Sequence, residues 1–458
     1  MNIIAQKTSL LGSITVPGSK SHTIRALLLA TMAEGTSHIK NPLPSADCLS
    51  TAAAVPLVGA EIDLSLSVEG EPGTEWIVSG AGKNIHLPED VINVGNSGSL
   101  LYFLSSIAAT FDGWSIFTGD ESIRRRPVHH VVEALNQLGA TCNTARPGID
   151  GCPLIIHGPI KAGTVRTDGT VSSQYISGMM MAGTLLDGKL NIELSAPTET
   201  PYLTMTQKWL EKVGVNCSIS DDYKHITVQG PVTINAFETT IPSDWEAVAF
   251  PLVAALIAPD SSIVIEHIDG SGTQGDDAIV DVLRSVGGNI VWDKTAETIT
   301  VKTSRLTTEN LPNKELHVAM SPFPDAICAL AVAACFIEGT TILEDAAVCR
   351  RKETDRLSAL ATELKKIGAE VEEGKDYLKI FGHSPLLANG SSNPDFKIHG
   401  ATVESYLDHR IAMSMACAGL GLKANERITV KDAECCNVSF PHFFEVMNNI
   451  GANFAEPN

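Results

Sequence analysis

The chain is short of aromatic residues and of cations, and it has no paired-cysteine motif. Phe, Trp and Tyr make up 5% of its 458 residues, leaving few of the flat side chains on which single-stranded nucleic acids stack. Lys and Arg number 33 against 53 Asp and Glu, a formal net charge of -20, so little general attraction to a phosphate backbone is available. Both shortages argue against a nucleic-acid partner. None of the ten cysteines forms a CxxC pair: Cys435 and Cys436 are neighbours, and Cys328, Cys335 and Cys417 fall in apolar stretches. Buried, reduced thiols in a cytoplasmic protein fit this usage better than a disulfide framework. The opening MNIIAQKTSLLG lacks the charged, apolar, small-residue order of a signal. No charge-free apolar run reaches the roughly 18 residues of a membrane span, so no membrane partner is expected. His129, His130 and His409 match no HExxH or zinc spacing.

What the chain does have is a repeated design. A polar, small-residue turn opens directly into an apolar stretch in SHTIRALLLATMAEG, GNSGSLLYFLSSIAA, SSQYISGMMMAGTLLDG, SDWEAVAFPLVAALIA, SPFPDAICALAVAACFIEG and YLDHRIAMSMACAGLGL. The starts near Arg25, Leu100, Gln174, Ala247, Asp325 and Arg410 are about 73 to 85 residues apart, longer than a solenoid repeat and close to a small module containing βαβ. Between them a second helix type recurs, closed by Gly59, Gly139, Gly214, Gly287, Gly368 and Gly451 and followed by a strand. In the fifth copy Leu357, Leu360, Leu364 and Ile367 share one face, while Glu363, Lys365 and Lys366 fall elsewhere, the pattern of a helix with one covered side.

Helices apolar all round need burial on every side, whereas the second type needs one covered face. Alternating segments such as SSIVIEHI, TITVKT, LKIFGH and RITVKDA read as strands around them. The expectation is an α/β chain with apolar helices inside and sheets and amphipathic helices outside. The stretch around residues 225 to 244 reads as a junction between halves of three repeats.

Helix N-termini carry unpaired N–H groups and partial positive charge, and attract anions. The loops at those ends hold Lys20, Ser21 and Arg25; Asn96, Ser97, Gly98 and Ser99; Ser172, Ser173 and Gln174; and Asp408, His409 and Arg410. Two denser clusters stand apart, Arg124, Arg125 and Arg126 in ESIRRRP, and Arg350, Arg351, Lys352, Glu353, Asp355 and Arg356 in CRRKETDR. Each alone reads more readily as a solvated charge run or a helix cap than as a site. Their recurrence at one place in the repeat points to a small polyanionic substrate, gripped by Arg forks and Lys point charges. The stretch GSGTQG, Gly270 to Gly275, matches a dinucleotide fingerprint, but Asp276 and Asp277 follow it and would repel a pyrophosphate.

PGSKSHTIRALLLA, GNSGS, RRRPVHHVVEALNQLGA, SSQYISGMMMA, PDAICALAVAA, RRKETDRLSALATELKKIGAEVEEG, DHRIAM and SFPHFFE together resemble, in order and spacing, the EPSP synthase family of enolpyruvyl transferases. The resemblance covers essentially the whole chain. It implies a two-domain inside-out α/β barrel of six βαβαββ repeats, three per domain, with the buried helices' N-termini at an interdomain cleft. An N-terminal domain would span 19–241, and residues 1–18 with 242–458 would form the C-terminal one. The implied reaction transfers enolpyruvyl from phosphoenolpyruvate to the 5-hydroxyl of shikimate 3-phosphate without metal or cofactor, and the implied state is a monomer. Asp325 resembles the family's hydroxyl base, with Glu353 and Lys20 its proton-handling pair. Lys20, Ser21, Arg25, Ser172, Ser173, Gln174, Asp325 and Lys352 would hold shikimate 3-phosphate. Lys20, Gly98, Arg126, Gln174, Arg356 and Arg410 would hold phosphoenolpyruvate.

Four positions depart from the family pattern. Tyr102 stands where an Arg is usual, Val438 where a Lys is common, Ile24 for an Asn, and Glu199 where a Ser often grips the shikimate phosphate. A carboxylate is a poor neighbour for phosphate, so Glu199 is expected outside the site. A sister enzyme acting on UDP-N-acetylglucosamine carries a reactive Cys where this chain reads TGDESIRRRP. A non-catalytic anion-binding or nucleotide-binding relative is the other alternative.

Overall fold

A computed structural model describes residues 1–64 and 75–457. The chain divides into two compact units, Gly18–Pro242 and Met1–Pro17 joined by everything from Ser243 onward. In the first, the apolar stretches form inner helices α1 (Lys20–Met32), α3 (Gly98–Ala108) and α6 (Ser173–Ala182). The half-apolar ones form outer helices α2 (Ala46–Ala54), α5 (His129–Gln137) and α7 (Thr200–Lys212), and a short α4 (Glu121–Arg125) lies between. The second unit repeats the plan. Its inner helices are α8 (Trp245–Ile257), α10 (Ile327–Cys335) and α12 (His409–Leu420), and its outer ones are α9 (Ile279–Ser285), α11 (Arg356–Lys366) and α13 (Phe443–Asn448).

Every residue of α8, α10 and α12 is buried, as a helix with no polar face requires. The glycines that follow the outer helices have φ between 84° and 102°, a left-handed turn in which a Cβ would be strained. Gly80, Gly158, Gly230 and Gly382 answer a second repeated demand. A Cβ on any of them would come within 1.9–2.3 Å of a carbonyl oxygen at the end of an inner helix, so only glycine lets the strand lie there.

Three four-stranded sheets belong to the first unit. In one, Glu238–Thr240 runs parallel to Glu34–Lys40, which pairs antiparallel with Glu75–Ala81, itself antiparallel to Glu61–Asp63. The same order, a parallel edge strand and then two antiparallel pairings, recurs in the second unit. There the chain start completes two sheets: Leu11–Thr15 lies parallel to Ser262–Glu266 with Ile14 opposite Ile265, and Ile3–Gln6 lies antiparallel to Arg427–Lys431. Strand Ser262–Glu266 alternates between buried and half-buried residues, the signature of one face on a core.

All ten cysteines are free thiols, and nine are buried. Glu363 departs from the expected outward face of α11. It is fully buried, and its carboxylate accepts hydrogen bonds from the Glu404 N–H at 3.1 Å and the Tyr406 hydroxyl at 2.6 Å while Lys366 pairs with it at 2.8 Å. A buried carboxylate is tolerated where its oxygens have such donors.

Candidate active site

In each unit the polar side chains gather where inner helices begin. Lys20 opens α1 and sets its Nζ 3.4 Å from the Asp47 carboxylate in the first turn of α2. One turn on, Arg25 is 2% exposed. It donates to the Ser21 carbonyl and the Thr206 hydroxyl at 2.9 Å, and to the Ser177 hydroxyl and Tyr202 carbonyl at 3.3 Å. Its guanidinium lies 4.9 Å from the Phe103 ring centre. Among the described residues it has no carboxylate partner, and burial pushes its pKa down to about 10. A buried cation held only by neutral dipoles favours an anionic ligand.

Gly98, Arg126 and Gln174 come together at the starts of α3 and α6. A Cβ on Gly98 would fall 2.0 Å from Arg126 Nη1 and 3.3 Å from Gln174 Oε1, so Nη1 of the guanidinium abuts the glycine where no side chain could stand. Gln174 donates to the Ser99 hydroxyl at 3.0 Å. Of the three successive arginines, Arg124 is exposed and bonds the Gly119 carbonyl, and Arg125 pairs with Glu121 in solvent. Two anchors hold the segment that follows. Asp150 accepts from the Val128 and His129 N–H groups at 2.7 and 2.8 Å, and the buried Tyr102 hydroxyl donates to the Pro127 carbonyl at 2.7 Å. Burial raises the Tyr102 phenol well above its ordinary value, so it serves as a neutral tether beside Arg126.

Ser172 caps α6 by accepting from the Gln174 N–H at 3.2 Å. Glu199, expected outside the site, lies against Ser172 and Ser173. One oxygen of its carboxylate accepts from the Ser173 N–H at 2.9 Å, the Ser173 hydroxyl at 3.0 Å and the Ser172 hydroxyl at 3.3 Å. The residue is 3% exposed and has φ 51°. An anionic side chain therefore already uses the donors at this helix start, a position where negative charge is stabilised.

In the second unit Asp325, Lys352, Glu353, Arg356 and Arg410 form one ionic cluster. Arg356, with no exposed side-chain surface, donates to Asp325 at 2.5 Å, Glu353 at 2.6 Å and Asp408 at 2.8 Å. Lys352 Nζ lies 3.4 Å from Asp325, and Arg410 Nε 3.1 Å from it. Arg410 also pairs with Glu246. Burial would lower both guanidiniums, but Asp408, Glu353 and Asp325 hold Arg356 well above its ordinary value, and Glu246 and Asp325 do the same for Arg410. Asp408 caps α12 by accepting from the Arg410 N–H at 2.9 Å. Asp325 lies in the 3-10 turn Pro324–Ala326, where its carboxylate meets Lys352, Arg356 and Arg410. Every carboxylate here is within reach of a fixed positive charge, the condition for proton transfer with developing charge stabilised.

The sequence reading missed Asp47, Glu246 and Glu199 as members of these clusters. Its available signal was an acid in the first turn of an otherwise apolar helix, as in SDWEAVAF. The polar groups of GSGTQG serve the fold. Gln274 accepts from the Trp245 N–H at 3.1 Å and donates to the Ser243 carbonyl at 2.7 Å and to Asp269 at 2.9 Å, fastening the start of α8.

A family model described as EPSP synthase (3-phosphoshikimate 1-carboxyvinyltransferase) matches residues 4–447. A 3-phosphoshikimate 1-carboxyvinyltransferase of Ruminiclostridium cellulolyticum is 38% identical, with 98% of this chain and 99% of that protein covered. One of Methanocella arvoryzae is 36% identical, covering 97% of this chain and 98% of that protein. Among solved structures, an EPSP synthase of Acinetobacter baumannii superposes with a TM-score of 0.79 at 27% identity, over 99% of both chains. With the repeated two-unit α/β architecture and these matches along its whole length, the chain belongs to the EPSP synthase family.

Proposed function

We infer that the chain transfers the 1-carboxyvinyl group of phosphoenolpyruvate to the 5-hydroxyl of 3-phosphoshikimate and releases phosphate, a step of chorismate and aromatic amino acid biosynthesis. The residue roles rest above all on one observation: Asp325 and Glu353 share the buried Arg356 at 2.5 and 2.6 Å. In the addition step Asp325 takes the proton of the 5-hydroxyl as its oxygen bonds to C2 of phosphoenolpyruvate. Glu353 and Lys20 serve the proton that arrives at the methylene carbon. In the elimination a proton leaves the new methyl group, the C2–O bond to phosphate breaks, and phosphate departs. Lys20, Ser21, Arg25, Ser172, Ser173, Gln174, Asp325 and Lys352 bind 3-phosphoshikimate. Lys20, Gly98, Arg126, Gln174, Arg356 and Arg410 bind phosphoenolpyruvate.

The buried thiols support a cytoplasmic setting, and the acidic balance supports small-molecule rather than nucleic-acid partners. Among the described residues no helix is long and apolar enough to cross a membrane. The deciding experiment is phosphate release from phosphoenolpyruvate, with and without 3-phosphoshikimate, on wild type and Asp325→Ala. Release should require the shikimate ester and fall at least about 100-fold in the variant, the scale of a lost general base. Release with UDP-N-acetylglucosamine alone would transfer the chain to the sister activity.

A further inference from the structure

The inner helices of the second unit begin at the ionic cluster, and their far ends border something else. Around the C-termini of α8, α10 and α12 lies a cavity of about 600 Å3. Asp325 and the lining residue Phe336 stand at opposite ends of α10, roughly 16 Å apart along its axis, so this cavity is remote from Asp325 and from Arg356, which is bonded to it. Its floor is apolar: Ile257, Leu306, Phe336, Phe396 and Leu422 are each at most 5% exposed. Gly421 keeps the floor open, since a Cβ there would stand 2.6 Å from the Phe336 ring.

The rim carries Lys7, Arg305 and Lys423, and no lining residue is acidic. In a chain with 53 acids against 33 Lys and Arg, that is a marked local excess of positive charge. None of the three forms an ion pair among the described residues. Arg305 Nε donates to the Leu386 carbonyl at 3.2 Å and Lys423 Nζ to the Phe396 carbonyl at 2.7 Å. The simplest structural explanation would be service to the helix ends, which attract cations. Neutral groups already fill that role. Ser304 N–H caps Leu256 at 3.1 Å, the Thr303 hydroxyl caps Ala258, His383 N–H caps Cys335 at 3.3 Å, and Thr8 N–H caps Leu420 at 3.4 Å.

We propose that this cavity is a second binding site, for a small organic acid with an aromatic or branched apolar body and one carboxylate. The volume suits such a molecule. The body lies on Phe336 and Phe396, and the carboxylate takes the free edge of the Arg305 fork with Lys423 beside it. The site uses none of the residues assigned to the transferase reaction.

The test is a titration of the full-length protein, carrying labelled Ile and Leu methyl groups, with 4-phenylbutyrate and separately with the neutral 4-phenylbutanamide. Expected are shifts at the methyls of Ile257, Leu306 and Leu422, half-saturation at about 1 mM or tighter, and an amide weaker by at least about tenfold. The shifts should persist with phosphoenolpyruvate and 3-phosphoshikimate at saturation. In Arg305→Gln/Lys423→Gln the acid should bind no better than the amide, with phosphate release unchanged. Equal binding of acid and amide to wild type, displacement by the substrates, or silence at those methyls would each overturn the proposal, and all three readouts use the unmutated protein.

Discussion

Replacing Glu199 by glutamine should loosen the unit of residues 18–242 and, at the same time, tighten its hold on 3-phosphoshikimate. The carboxylate accepts three hydrogen bonds through one oxygen at the start of α6, and it does so while 3% exposed. Glutamine keeps the shape but gives up the charge. Hydrogen bonds to charged groups contribute about 1.5–3 kcal/mol against about 0.5–1.5 for neutral ones, so a loss of roughly 1–2 kcal/mol is expected. For a unit of this size that lowers the melting temperature by about 2–8 °C. Substrate binding goes the other way. A phosphate brought to the Ser172 and Ser173 donors must displace the carboxylate or stand beside it, and two like charges about 4 Å apart repel by roughly 4 kcal/mol at an effective dielectric constant near 20. Even a third of that is about tenfold in affinity. Glu199→Gln should therefore lower both the Kd and the KM for 3-phosphoshikimate by at least about tenfold, with kcat within about threefold of wild type. Calorimetry and steady-state phosphate release measure both. Weaker or unchanged binding in the variant would refute the reasoning and make Glu199 part of the binding surface.

Three further variants probe the clusters. Arg356→Lys keeps one positive charge but cannot span Asp325, Glu353 and Asp408; it should cost about 3 kcal/mol, read by chemical denaturation, and a change below about 0.5 would show the cluster holds little. Gly98→Ala places a methyl 2.0 Å from Arg126 Nη1; the displaced guanidinium should raise the KM for phosphoenolpyruvate at least about tenfold, and an unchanged KM would separate Arg126 from that substrate. Burial would raise the Asp150 carboxyl, but hydrogen bonds from Val128 and His129 hold it below its ordinary value. Its contribution is present above the unfolded pKa of about 3.9 and lost as pH falls through the lower folded value. Asp150→Asn should therefore flatten the acid limb of thermal stability, and superimposable limbs in wild type and variant would count against it.

The repeat, the two helix classes and the turns that close them were legible in residue order, because each is set by neighbours within a turn or two. All-round apolarity forced α8, α10 and α12 into the interior, and six glycines stood where a left-handed residue ends a helix. Partners far apart in the chain were not legible. No local pattern says that Ile3–Gln6 pairs with Arg427–Lys431, that Glu363 turns inward to Tyr406, or that Arg126 rather than Arg124 meets Gly98. Nor could the sequence show that Glu199 occupies the Ser172 and Ser173 donors, since taken by itself a carboxylate near a phosphate site reads as repulsion. Hydrophobic periodicity and backbone conformational preference act along the chain, and they determined the elements. Which charge meets which is decided by burial, since only in a water-poor interior must each ionised group find a partner, and that matching exists only once the repeats have folded together.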